Sequence, residues 1–118
     1  MRFPRYPEYK ESGVAWLGEV PEHWSIRKIK RIASFSGGGT PSRDNLAFWN
    51  GDIPWVSPKD MKAEEIESAE EGITFEGLQS SAANIIPSGT IILVVRSGIL
   101  RHTIPVAITK REVALNQD

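Results

Sequence analysis

The chain has 118 residues, no cysteine and a formal net charge of -1. That length suits one domain with a modest core, and the missing cysteine excludes disulfides, thiolate metal sites and a cysteine nucleophile. No stretch approaches the roughly 18–20 apolar residues of a membrane span, and Pro4, Pro7, Glu8 and Glu11 break up any leader-like apolar core, so a cytoplasmic setting is expected.

Residues 1–24 combine Phe3, Tyr6, Tyr9, Trp16 and Trp24 with Pro4, Pro7 and Pro21. This composition predicts sparse regular structure, with rings that anchor an extended segment to a surface. From Ser25 to Phe35, the spacing of Ile26, Ile29, Ile32 and Ala33 predicts a short helix. Its outward face would carry Arg27, Lys28, Lys30 and Arg31. The β-branched content also allows a strand at either end.

Ser36 to Ser42 reads SGGGTPS, a loop. It has glycines but no P-loop lysine; it is either a tight turn or a nest of N–H groups able to hold a phosphate oxygen. Phe48 to Asp52 predicts a turn, with Asn50-Gly51 as its strongest signal. Ile53 to Val56 predicts a short edge strand, because Pro54 cannot donate to a ladder. Ser57 to Met61 reads as a turn or a single helical turn.

Residues 63–76 are acidic, and residues 64–79 hold six Glu and no base. The segment reads as a solvated helix or loop, since nothing apolar nearby would raise a carboxyl pKa. Thr74 is a helix N-cap, with Leu78, Ala82 and Ala83 on one face and Asn84 closing it. Pro87-Ser88-Gly89 is a turn. Thr90 to Val95, TIILVV, predicts a buried central strand. Ile104 to Ile108 and Val113 to Leu115 predict two more strands around a Lys110-Arg111 turn. Asn116-Gln117-Asp118 has no character of a domain end, so the chain is expected to stop inside one.

Enzyme chemistry finds little footing in these residues. The two histidines, His23 and His102, have neither a carboxylate pattern nor a Gly-x-Ser-x-Gly elbow around them. DNA binding fits better. Lys and Arg supply affinity on phosphates, and Arg is the favoured reader of guanine edges. Arg96, Ser97, Arg101 and His102 stand at the exit of a predicted rigid strand, where reading side chains are best held. Lys59, Lys62, Arg43 and Thr40 lie on loops from which they can add contacts. The competing reading is that Arg96 and Arg101 cap strands or pair with the acidic segment. Two further alternatives are a protein-interaction module without a DNA role and a small hydrolase or nuclease.

Five segments, in order, resemble a known family. Tyr9 to Trp24 (YKESGVAWLGEVPEHW) is similar to the opening of specificity subunits of type I restriction-modification systems. Gly39 to Ser42, Phe48 to Trp55, Ile86 to Thr90 continuing through Arg96 to His102, and Ala114 to Asp118 resemble their first target recognition domain. The resemblance implies an α+β fold: a twisted β-sheet with short flanking helices and long loops, incomplete here. It divides the chain into an N-terminal aromatic, proline-rich segment (1–24) and a partial recognition domain (25–118).

The implied function is sequence-specific recognition of double-stranded DNA, directing adenine methylation and cleavage by partner subunits. The chain itself would be non-catalytic, with no cofactor or metal of its own. S-adenosylmethionine, ATP and magnesium would belong to the modification and restriction subunits. No methylase motif, Walker sequence or spacer helix is present.

Overall fold

The computed structural model describes residues 3–118, which divide into two units, one up to Phe35 and the other Ser36–Asp118. The fold is α+β, with mixed pairing and short helices, but its strands form three small sheets rather than one.

The first unit contains an antiparallel hairpin where little regular structure is expected. Strand β1 (Tyr9–Glu11) pairs with β2 (Glu19–Pro21), Lys10 opposite Val20. Gly13 and Gly18 both take positive φ, at 79° and 71°, a conformation that glycine adopts without a Cβ penalty. The Ser12 N–H donates to the Gly18 carbonyl at 2.9 Å and closes the loop. Tyr6 meets His23 and Trp24 edge-on, with ring centroids 5.1 and 5.9 Å apart.

The helix expected over Ser25–Phe35 shrinks to one 3-10 turn, Ile29–Arg31. Lys28 at its N-cap provides no side-chain hydrogen bond, and Ile26, Ile29, Ile32 and Phe35 are all exposed. A short segment whose apolar face is not buried has nothing to offset the cost of helix nucleation.

The second unit is built on β3 (Trp49–Val56), at the centre of a sheet ordered β5-β3-β8. β5 (Glu71–Ile73) runs antiparallel to it and β8 (Ala114–Leu115) parallel. Two expectations are corrected here. The Asn50-Gly51 turn is a bulge inside the strand: the register shifts between Trp49 and Ile53, and Asn50 has φ 61°. Asparagine tolerates this left-handed conformation, so a turn signal serves equally well for a bulge. Nor is Pro54 on an edge strand. The parallel ladder to β8 begins only at Trp55, so the missing N–H of Pro54 costs no bond on that side.

A second sheet is ordered β4-β7-β6. Its strands are β4 (Glu65–Ile66), β6 (Ile91–Leu93) and β7 (Val106–Thr109). The TIILVV run lies at the edge, not the centre. Ile92 and Val94 are buried, whereas Ile91, Leu93 and Val95 are exposed. The continuous apolar run therefore folds as an alternating strand with only one covered face. β7 and β8, though adjacent in sequence, belong to different sheets, so the Lys110-Arg111 segment carries the chain from one to the other.

Local chemistry places the short helices. Thr74 caps α1 (Phe75–Gln79) by accepting from the Gly77 N–H at 3.1 Å; the helix ends before Ala82 and Ala83. Ser57–Asp60 form a capping box on a 3-10 turn, Pro58–Asp60, with the Ser57 N–H on Asp60 Oδ2 at 2.9 Å. Gly89 ends the Pro87-Ser88-Gly89 turn at φ 85°. Thr109, fully buried, donates its hydroxyl to the Pro87 carbonyl at 2.8 Å and accepts from the Thr90 N–H at 3.0 Å.

Two apolar clusters result. Val56, Ile66, Ile86, Ile92, Ala107 and Val113 form one; Trp55, Ile73, Ala83 and Ala114 form the other.

Candidate nucleic-acid interface

The glycine loop is held by tryptophans. Trp55 Nε1 donates to the Gly39 carbonyl and Trp49 Nε1 to the Ser42 carbonyl, each at 3.0 Å. The Gly39 N–H is itself used on the Leu115 carbonyl at 2.9 Å. A Cβ on Gly38 would overlap the backbone of Leu115 and Asn116, and one on Gly39 that of Ala82 and Ala83. Gly38 thus permits close backbone packing at the β8 exit and Gly39 at the segment after α1.

Arg43 leaves this loop and lies against two indoles, Trp49 and Trp55, whose rings meet edge to face at 90°. Its guanidinium carbon is 4.0 Å from the Trp49 ring centre and 5.0 Å from that of Trp55, within the range of a favourable charge–quadrupole interaction. The same guanidinium makes a two-pronged ion pair with Glu71. Lys59 reaches the same acidic corner, 3.2 Å from Glu71 and 3.4 Å from Glu70. The hydrogen bond from Arg43 is the main reason that the Glu71 carboxyl is held below its usual range. The bond to Glu71 likewise pushes Arg43 and Lys59 up. Glu70 and Glu71 therefore form a counter-charge for two loop cations, and residues 65–66 and 71–73 are strands rather than the expected solvated helix or loop.

A second group forms where β6 ends. Ser97 caps the 3-10 turn Gly98–Arg101 through the Ile99 N–H at 3.4 Å. This one turn brings Arg96, Ser97, Arg101 and His102 together, all exposed. Arg96 turns back to Asp118, with Nε on Oδ1 at 2.7 Å. Asp118 is joined by Gln117, whose Oε1 takes the Thr40 hydroxyl at 2.6 Å. The chain's last residues thus tie Thr40 to Arg96.

Arg101 and Lys62 have no ion-pair partner among the described residues, and Lys62 is exposed just beyond the Pro58–Asp60 turn. Sequence reasoning missed the Trp49–Trp55–Arg43 cluster and the Asp118 partner. The two tryptophans at 49 and 55 are a visible signal for the first; nothing local announces the second. No group of three or more metal-ligating side chains is assembled among the described residues.

An α+β domain with exposed cations on strand-exit loops is a surface suited to binding an anionic polymer. The model of the family described as "Type I restriction modification DNA specificity domain" matches residues 21–118. The chain belongs to this family. It is 41% identical over 120 residues to the type I restriction enzyme EcoR124I/EcoR124II specificity subunit of Escherichia coli, covering 100% of this chain and 29% of that protein. It is 37% identical over 120 residues to the MjaIX specificity subunit of Methanocaldococcus jannaschii, covering 99% of this chain and 26% of that protein. The chain therefore spans less than a third of the length of these relatives.

Proposed function

We propose that this chain is a non-catalytic DNA-reading module, the opening part of a first target recognition domain in a type I restriction-modification specificity subunit. The observation that carries the proposal is similarity to specificity subunits along its whole length. In this reading residues 25–118 belong to the recognition domain and residues 1–24 precede it. Its partners are double-stranded DNA and the modification and restriction subunits of the complex. S-adenosylmethionine, ATP and magnesium serve those subunits. No helix among the described residues is long and apolar enough to cross a membrane, and a DNA partner suits a cytoplasmic setting.

Within this reading Arg101 and His102 are the foremost base readers, since they stand exposed on one short turn, and Lys62 is a phosphate contact. Ser97 shapes that turn. Arg96, Arg43 and Lys59 contact DNA only by giving up carboxylate partners, and Thr40 by giving up Gln117.

Selection from a random duplex library tests the proposal. The chain should enrich a defined sequence, with affinity falling steeply with salt because phosphate contacts release counterions. Arg101→Ala should lose about 1–3 kcal/mol, roughly 5- to 150-fold, on the enriched sequence and little on random DNA. Lys62→Ala should weaken both alike. Salt-insensitive binding without enrichment would remove the DNA role.

A further inference from the structure

Arg43 and Lys59 converge on one carboxylate oxygen. Arg43 Nη2 and Lys59 Nζ each lie 3.2 Å from Glu71 Oε2, while Arg43 Nη1 donates to Oε1. A guanidinium fork across two oxygens, with a second cation on one of them, is also a grip for a phosphate group, because carboxylate and phosphate present the same paired acceptors. A hollow walled by Arg43, Trp49, Glu70 and Glu71 opens at this point. The Arg43 and Lys59 side chains are 54% and 47% exposed and that of Glu71 is 29% exposed, so the cations stand outward of the carboxylate they hold.

The backbone under each cation is anchored without Glu71. Pro41 is fully buried, and Trp49 Nε1 donates to the Ser42 carbonyl at 3.0 Å, so the loop is pinned at the residue before Arg43. The guanidinium also rests against the Trp49 ring. Lys59 lies inside the Pro58–Asp60 turn, which the Ser57–Asp60 capping box closes. Asp60 Oδ1 accepts from the Glu70 N–H at 2.9 Å and sets that turn against the start of β5. Glu71 itself stands in β5, opposite Trp55. Taking the charge off Glu71 therefore leaves two cations on anchored turns, facing solvent from one place.

We propose that Arg43 and Lys59 form a phosphate-binding site for the DNA backbone, and that Glu71 occupies it in the free chain as an internal competitor. A backbone phosphate binds here by displacing the Glu71 carboxylate. Phosphate contacts carry no sequence information. A competitor at such a contact lowers the hold on random DNA and leaves more of the affinity to base-reading side chains such as Arg101. The inference rests on the DNA reading proposed above and adds to it an acidic side chain that restrains binding.

The test is binding of the 118-residue chain to a random-sequence duplex across a salt series, with thermal melts to verify that each variant is folded. Glu71→Gln should tighten binding roughly three- to tenfold at low salt and steepen the logarithmic salt slope by about 1, the increment of one added phosphate contact. Glu67→Gln removes the same charge from an exposed side chain that joins no ion pair among the described residues, so it measures the effect of charge alone. Its gain should be clearly smaller. Arg43→Gln should cost more affinity in the Glu71→Gln background than in the unaltered chain, a coupling that independent charges do not produce. Equal gains from Glu71→Gln and Glu67→Gln, in a chain whose binding falls with salt, would overturn the proposal and leave the DNA reading standing. No salt-dependent binding by any variant would overturn both. Inorganic phosphate, titrated by calorimetry at constant ionic strength, separates the two sources of phosphate. Arg43-dependent uptake by Glu71→Gln without a gain on duplex would make free phosphate the ligand and overturn the DNA assignment of this site.

Discussion

Glu71 is the residue on which the loop charges converge. Its partner Arg43 is also in contact with the Trp49 ring, 4.0 Å from the ring centre. Arg43 is still about half exposed, so Glu71→Gln should cost no more than about 1 kcal/mol, a fall in Tm of about 4–8 °C for a domain of this size. The sign of the pH dependence follows from the carboxyl being held below its ordinary 4.5. The stabilisation is present above that pH and is lost as pH falls through the lower folded-state value. Thermal melts of the two proteins should therefore differ at pH 7 and converge in acid. A difference that persists at low pH would mean that Glu71 acts through something other than its charge. The glycine loop offers a sharper contrast. Gly38→Ala should destabilise by about 1–3 kcal/mol, because its new methyl meets backbone that cannot step aside. Gly37→Ala, with nothing within 4 Å, should be nearly silent in the same urea titration.

Among the elements, α1 is five residues long and depends on its cap. Thr74 accepts from Gly77 and donates its hydroxyl to the Ala47 carbonyl at 2.7 Å, so it ties the helix start to the segment ahead of β3. Thr74→Ala should cost about 0.5–2 kcal/mol, while Thr74→Ser should recover most of it; a silent Thr74→Ala in denaturant unfolding would remove this role. The bulge in β3 makes the opposite kind of demand. Asn50 sits at φ 61°, where a left-handed residue with a Cβ costs roughly 1–2 kcal/mol. Asn50→Gly should be neutral or stabilising, and Asn50→Val should lower the unfolding midpoint.

For the molecule as a whole, the core is made of small and β-branched side chains in two clusters, with one large buried ring, Trp55. Such a core leaves little reserve against a cavity, since domains are stable by only about 5–15 kcal/mol. Ile73→Ala, at a position with no exposure, should cost about 2–5 kcal/mol, and a cooperative thermal transition should shift far downward or vanish. An unchanged transition would mean that the β3–β5 ribbon is not part of the cooperative unit. The same scale governs DNA binding. With a net charge of -1, the whole chain is not steered to DNA by its total charge. Any affinity has to come from local faces such as the Gly98–Arg101 turn.

Much of the secondary structure was legible where a residue's own chemistry decides. The Thr74 cap, the Ser57–Asp60 turn, the Pro87-Ser88-Gly89 turn and the strands near 106–109 and 114–115 all follow from side-chain oxygens, fixed φ angles and β-branching acting within a few residues. The ordered family segments were legible too. Tertiary structure alone decided which strand is central and which is edge. Pro54 and the TIILVV run were each misassigned, because a ladder depends on which distant strand arrives beside it. It also decided the state of the candidate cations. Arg43 meets Glu71 across 28 residues and Arg96 meets Asp118 across 22. An ion pair leaves no periodicity in the chain, so only the fold separates the arginines engaged with carboxylates from Arg101, which stands exposed on its turn.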